Sequence, residues 1–134
     1  MSAFNKFDVF SLNVLSALEN FTAHSYKVML TDVAPVRTNT IKSNITEIAA
    51  GNGYTAGGGV SAVSLADAAG VTTASAGPVT FTASGGSIAT WRYAVIYNAT
   101  TNNLVGWYDY GAEVIITATN SGGASFATGL LTLG

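Results

Sequence analysis

The chain has 134 residues, the length of a single domain, and a net charge of −2. Its five cations are scattered, which excludes the clustered basic footprint of a nucleic-acid-binding protein. It contains no cysteine and one histidine, which excludes disulfides, thiolate metal sites and multi-histidine metal sites. Charged residues make up only 9% of the sequence, against about 25% in an average soluble domain. This composition fits both an ordinary low-charge β domain and a surface that another protein covers.

Residues 4–21 carry apolar side chains at spacings of three and four, the period of an amphipathic helix. We expect the helix over residues 8–19, with Asp8 near the positive end of the helix dipole. The helix either packs on its own domain or belongs to an arm, residues 1–22, that lies on a neighbouring subunit. In the second case the contact residues would be Phe4, Phe7 and Phe10. The segment is interrupted by polar residues, so neither a membrane span nor a signal peptide is expected.

The rest of the chain, residues 23–134, predicts a single β domain. Short apolar or alternating runs are separated by turn signals every 8–12 residues, which is typical of a β-sandwich or jelly-roll-like body. Residues 40–49 fit a strand or a short helix, and residues 120–123 a turn. The fold class expected is therefore mainly β with one short N-terminal helix. The predicted strands are residues 25–31, 60–65, 79–83, 91–98, 104–110, 114–119 and 130–133.

A glycine-rich segment, residues 51–59, has five glycines in nine residues and predicts a flexible connection. A deformable loop of this kind can reach a neighbouring molecule. We therefore take Asn52 and Tyr54 as further candidate residues for contact between subunits.

Residues 91–111 hold both tryptophans and four of the six tyrosines, on two predicted strands joined by a polar turn. Alternation places Trp91, Tyr93, Val95 and Tyr97 on one face of the first strand. Together with Trp107 they are the candidate core of the hairpin, and packing in the core is favoured over a carbohydrate-binding platform. Arg92 and Asp109 can pair across the hairpin, and such a surface pair would contribute little to stability.

The residues needed for catalysis are not arranged in a recognisable motif. Asp109 and Glu113 form the only close acidic pair on a strand-rich segment. His24, Ser25 and Asp32 match the residue types of a hydrolase triad, but no nucleophile-elbow motif accompanies them. No phosphate-binding glycine motif is present. We therefore expect no enzyme activity, cofactor, metal or small-molecule substrate.

Several segments, in order and over nearly the whole chain, resemble a family of small structural proteins of tailed-bacteriophage virions. The most specific are ITEIAAGNGYTAGG and the pair RYAVIYN and GWYDYG; FNKF, YKVMLTDVAPV and the terminal GLLTLG accompany them. Some members resemble capsid cement or decoration proteins with a jelly-roll-like body.

That resemblance implies a protein made in the bacterial cytoplasm that binds adjacent major capsid protein subunits on the capsid exterior. It further implies self-association as a dimer or trimer, with no nucleic-acid or membrane partner. Two alternatives stay open at this point. One is a tail, baseplate or head-fibre component of the virion, and the other is a carbohydrate-binding module for host recognition.

Overall fold

The computed structural model describes residues 4–124 and 131–133, with side chains described up to residue 120. The fold is mainly β: of the described residues 44% lie in strands and 9% in helix, and the sheets they form are antiparallel. The predicted fold class, a β-sandwich-like body with one short helix, is confirmed.

The described elements are ten strands, one α-helix and one turn of 3₁₀-helix at Lys42–Asn44. The helix is α1 (Asp8–Leu15). The strands are β1 (Phe4–Lys6), β2 (Tyr26–Thr31), β3 (Gly59–Ser61), β4 (Val63–Ala68), β5 (Val71–Ala76), β6 (Val79–Thr82), β7 (Trp91–Asn98), β8 (Leu104–Val114), β9 (Ser121–Ala124) and β10 (Leu131–Leu133).

A five-stranded sheet in the order β1-β8-β7-β2-β3 forms the centre of the fold. A three-stranded sheet has the order β10-β5-β4, and β6 pairs with β9. Each face of the five-stranded sheet carries a packed cluster. The larger core includes Tyr26, Trp91 and Tyr108, and the smaller core comprises Phe7, Met29, Val95, Tyr97 and Leu104.

Strand β2 shows how alternation builds these two cores. Tyr26, Val28 and Leu30 enter the larger core, while Met29 between them enters the smaller one. A strand buried on both faces reads as an almost continuous apolar run, which is what YKVML is. The strand predicted over residues 25–31 is confirmed.

The N-terminal segment is part of the domain. β1 pairs with β8, placing Phe4 opposite Tyr108, and α1 buries Phe10 and Asn13. The helix ends at Leu15, earlier than the predicted residue 19, because Ala17 adopts a left-handed conformation with φ of 61°. Of the two roles considered for this helix, the structure has the one in which it packs on its own domain.

Two predictions near the C-terminus are wrong, because β8 continues beyond residue 110, where the predicted strand ended. Gly111 has a φ of 78°, and the strand runs on to Val114, which pairs with Trp91. The residues after it leave the sheet, although Ile116 is still buried in the larger core. The strand predicted at 114–119 is therefore absent, and the turn predicted at 120–123 overlaps β9.

The segment 40–49 forms neither of its two expected elements in full. Ile41 makes an isolated bridge to Asn103, and one 3₁₀ turn, Lys42–Asn44, follows. The side chain of Asn44 holds this turn by accepting hydrogen bonds from the backbone N–H groups of Thr40 and Ile41. The rest of the segment, residues 46–49, lies outside any helix or strand.

The aromatic hairpin forms as β7 and β8, but its register differs from simple alternation. Trp91 pairs with Val114 and Tyr93 with Asp109, so a bulge lies between Trp91 and Tyr93. As a result Trp91 packs in the larger core, while Val95 packs in the smaller core on the other face. The expectation that Trp91 shares a face with Val95 is corrected by this bulge.

Candidate functional site

The most distinctive exposed feature is a ridge of three leucines on α1 and just beyond it. Leu12, Leu15 and Leu18 are 64%, 79% and 51% exposed. At about 100° per residue, Leu12 and Leu15 lie opposite the buried Phe10. Polar side chains normally occupy the outward face of a surface helix. These three residues, hereafter the leucine ridge, are the large apolar side chains that α1 and the segment just after it expose to solvent.

The base of the leucine ridge is fixed to the body of the domain. The backbone N–H of Asp8 donates to the carbonyl of Arg37 at 3.1 Å, and Arg37 Nε lies 3.2 Å from the Asp8 carboxylate. Phe10 packs edge-to-face on Phe21 with ring centroids 5.9 Å apart. The ridge is thus presented in one orientation, so docking on it would cost little ordering of the backbone.

Two of the candidate contact phenylalanines are not available to a neighbouring subunit. Phe7 and Phe10 are fully buried, because Phe7 packs against Trp107 with ring centroids 4.6 Å apart and Phe10 enters the larger core. Phe4 is half-buried, with its ring 5.5 Å from Tyr108. The contact role expected for Phe7 and Phe10 is therefore corrected, and the leucines of the same helix are the exposed residues.

The glycine-rich loop is held in place instead of being deformable. The carbonyl of Gly57 accepts the Tyr97 hydroxyl at 2.6 Å, and its N–H donates to Glu47 at 2.6 Å. Gly58 has a φ of 79° and lies so close to β2 that an added Cβ would overlap the carbonyl oxygen of Val28. The Gly57–Gly58 end of the loop is therefore held against β7 and β2, while residues 51–53 are exposed.

The two candidate contact residues of that loop differ from one another. Tyr54 is buried, and its hydroxyl accepts from the Leu30 N–H at 3.0 Å and donates to Glu47 at 2.7 Å. Its expected contact role is corrected for that reason. Asn52 is exposed, and its side chain donates to the carbonyl of Ser87 at 2.9 Å. Only Asn52 keeps a surface position.

Burial changes the acidity of two of these tyrosines. It raises the pKa of Tyr54, with the hydrogen bond to Glu47 as the next cause. It also raises the pKa of Tyr97 to about 12, with the nearby Glu47 charge contributing. Both hydroxyls therefore stay neutral in the folded protein at physiological pH and act as hydrogen-bonding groups that tie the loop to the sheet.

A second buried polar cluster lies at the other end of β2. Glu19 accepts hydrogen bonds from Tyr26 and from Asn98 Nδ2, each at 3.0 Å. Asn98 Nδ2 also lies 2.8 Å from His24 Nδ1, and its Oδ1 accepts from the Thr100 N–H at 2.9 Å. Since that last bond fixes the orientation of the amide, His24 Nδ1 is the acceptor. The cluster ties the segment after α1 to the end of β7.

An open cleft of about 550 Å³ lies between the 3₁₀ turn and the β7–β8 turn. Its charged residues are already engaged within the domain. Lys42 Nζ lies 5.4 Å from the centre of the Tyr97 ring, and Glu47 bonds Tyr54 and Gly57 as described. The cleft therefore offers few free polar groups to a ligand.

The hairpin aromatics do not form one exposed strip. Trp91, Val95 and Tyr97 are buried, whereas Tyr93 and Trp107 are half-buried. Trp107 packs on Phe7, and the Arg92 guanidinium lies 5.4 Å from the ring centre of Tyr93.

Arg92 and Asp109 pair across the hairpin as predicted, through hydrogen bonds of 2.8 and 3.1 Å. The Arg92 hydrogen bonds lower the pKa of Asp109, and the N–H of Gly111 adds to this effect. Because both side chains are about one-third exposed, solvent weakens the pair. Asp109 is thus engaged in a structural contact.

The sequence pattern predicted contact through the phenylalanines and did not single out Leu12, Leu15 or Leu18 as contact residues. The angular positions on the helix could have distinguished the exposed leucines from the buried phenylalanines. Over residues 8–15 apolar side chains surround the whole circumference of the helix, so they cannot all face the core. Within residues 4–124 and 131–133, no helix has the length and apolar character to cross a membrane. Comparisons with protein-family models, with curated proteins and with solved structures found no match.

Proposed function

We propose that this chain is a non-enzymatic structural protein of a tailed-bacteriophage virion, a decoration protein that binds and stabilises adjacent major capsid subunits from outside. The virion context comes from the sequence resemblance. The observation that supports a binding role is the leucine ridge, an apolar strip held rigidly on a β body with little charge.

The physical basis of binding is the removal of this apolar strip from water. Fully burying one leucine contributes about 1.5–3 kcal/mol, so three partly exposed leucines contribute on the order of 4 kcal/mol. That is comparable with the smallest estimates of the cost of association, about 4 kcal/mol. A single ridge is therefore a weak contact, and the repetition of the contact over a capsid shell strengthens it.

The low charge of the chain supports the same proposal. Only 9% of the residues are charged, so a partner that covers the surface removes water from few charged side chains. Along α1 the one charged residue is Asp8, and it is paired with Arg37 at the start of the helix. A partner can therefore cover the ridge without burying an unpaired charge.

The test compares capsid binding by two variants. Leu12→Ser with Leu15→Ser removes most of the ridge, and Val60→Ser removes a valine that is 66% exposed on β3. We expect the double variant to lose binding to capsids that lack the protein by at least about tenfold, a change of about 1.4 kcal/mol. The β3 variant should bind like the natural chain. Both variants should retain the natural melting temperature, since all three side chains face solvent.

The same assay separates the alternatives. Binding of the natural chain to purified tails and not to capsids would favour a tail or baseplate component. Equal capsid binding by the double variant and the natural chain would contradict the ridge as the contact surface.

A further inference from the structure

The outer edge of β4 is exposed in an unusual way. β4 pairs with β5 over six residues, from Val63 opposite Ala76 to Ala68 opposite Val71. No strand in the described part of the chain pairs with its other edge. Five of its six side chains are exposed, so solvent reaches both faces of the strand as well as its edge.

Both edges of the five-stranded sheet carry features that discourage strand pairing, whereas β4 carries only the single charge of Asp67. β1 has three residues and includes Lys6, and β3 also has three residues. The part of β8 beyond β1 contains the left-handed Gly111 and the charged Glu113. Short length, charge and irregular backbone are the usual protections of an edge. The sequence of β4, VSLADA, has six residues and no lysine, proline or glycine.

Charge is sparse throughout this region of the chain. Asp67 is the only charged residue between Glu47 and Arg92. In a strand, alternate residues direct their backbone N–H and C=O groups to the same edge, so about half of those in β4 point outward. Unprotected edges of this kind accept a further strand, whose backbone supplies the missing hydrogen bonds.

We propose that the occupant of this edge is the β4 edge of a second copy of this chain. A two-fold axis perpendicular to the sheet pairs the two edges antiparallel and keeps Val63, Leu65 and Asp67 of both copies on one face. A register centred on Leu65 places it opposite the second copy's Leu65. Each Asp67 then faces the second copy's Val63.

This register avoids the one electrostatic conflict available to it. The two Asp67 carboxylates lie four residues apart along the strands, or about 14 Å, at 3.4 Å per residue. That separation exceeds the Debye length of about 8 Å at physiological ionic strength. The absence of other charges on the strand makes the edge compatible with its own copy, and the paired leucines add apolar contact.

The contact is weak in dilute solution. An edge of six residues buries less than the roughly 800 Å² per partner of a standard interface. Pairing therefore becomes appreciable only when copies are concentrated, as they are on a repetitive surface. This contact would account for the self-association that the sequence resemblance implies, and it does not depend on binding to a capsid.

Cysteine cross-linking tests the pairing and its register, because the natural chain contains no cysteine. Single variants Ser64→Cys, Leu65→Cys, Ala66→Cys and Ala68→Cys are oxidised in parallel with Thr38→Cys on an exposed loop. Only the residue at the two-fold axis meets its own copy within the 4.4–6.8 Å needed for a disulfide. We expect Leu65→Cys to give at least about five times the dimer of Thr38→Cys, and Ala68→Cys to give no more than that control. Equal yields along β4 and at the control would overturn the proposal.

A charge-reversal pair tests the same contact without a covalent bond. Leu65 is 47% exposed, so Leu65→Lys and Leu65→Glu should leave the melting temperature unchanged. Sedimentation from about 1 µM to about 1 mM should show association of the natural chain. Each variant alone should associate only at a concentration at least about tenfold higher. An equimolar mixture of the two variants should associate like the natural chain. A natural chain that stays monomeric throughout, or variants that associate like it, would overturn the pairing. No capsid is present, so this outcome is independent of the test of the leucine ridge.

Discussion

Three buried tyrosines hold the loops of this domain to its sheet through their hydroxyl groups. Tyr26 donates to Glu19, Tyr54 accepts from the backbone of Leu30, and Tyr97 donates to the carbonyl of Gly57. The partner of Tyr97 is 40 residues away in the chain. Composition and alternation predict that such rings are buried, but only the tertiary fold determines where each hydroxyl finds its partner.

Stability should fall at alkaline pH because Tyr97 must stay neutral in the fold. Its folded pKa of about 12 lies above the value near 10 of an unfolded chain, so its stabilising effect is complete below about pH 10 and lost as the pH rises through 12. By pH 11 this one group should lower the free energy of unfolding by about 1 kcal/mol. Chemical denaturation at pH 8 and pH 11 measures the change.

Tyr97→Phe is the matched control for this effect. It loses the hydrogen bond to Gly57, which lowers stability at both pH values, but it removes one titrating group. Its free energy of unfolding should therefore fall less between pH 8 and pH 11 than that of the natural chain. The fall that remains in Tyr97→Phe is due to Tyr26 and Tyr54, whose pKa values are also raised in the folded protein. An identical fall in both proteins would show that Tyr97 does not titrate in this way.

Among the elements, those with a strong local pattern could be predicted and those set by pairing could not. β2 and β7 are nearly continuous apolar or aromatic runs, and both form where the pattern places them. The bulge after Trp91 and the continuation of β8 through Gly111 depend on the register between two strands. Between Trp91 and Tyr93 the register shifts by three residues on β8, and Trp91 enters the larger core while Val95 enters the smaller one.

The candidate site was predictable to a similar extent. The sequence indicated an apolar N-terminal helix, and the structure contains one. Which apolar residues face outward depends on where the helix is anchored, and Phe7 and Phe10 anchor it by entering the two cores. Once Phe7 and Phe10 are packed in the cores, Leu12 and Leu15 are left facing solvent.

Two alanine substitutions on α1 should have very different effects on stability. Phe10→Ala removes a fully buried ring and should lower the free energy of unfolding by about 3–5 kcal/mol. Leu15→Ala removes a side chain that faces solvent and should change it by less than about 0.5 kcal/mol. Urea denaturation monitored by tryptophan fluorescence measures both. A Phe10→Ala protein as stable as the natural chain would mean that α1 is not packed as described.

At the scale of the whole molecule, the domain combines a rigid body with two separate exposed features. The leucine ridge lies on α1, which packs against β8, and the free edge of β4 lies in the three-stranded sheet. The proposals assign a capsid protein to the first and a second copy to the other. Two weak contacts of different kinds would allow a small domain to link neighbours over a curved shell.

The measurement that most directly tests the central claim is a cryo-EM map of the virion, combined with the copy number of this chain per particle. If the chain is a decoration protein, we expect hundreds of copies on the outer face of the head, each with Leu12, Leu15 and Leu18 against a major capsid subunit. A handful of copies confined to the tail, or copies on the head with the leucine ridge facing solvent, would contradict it.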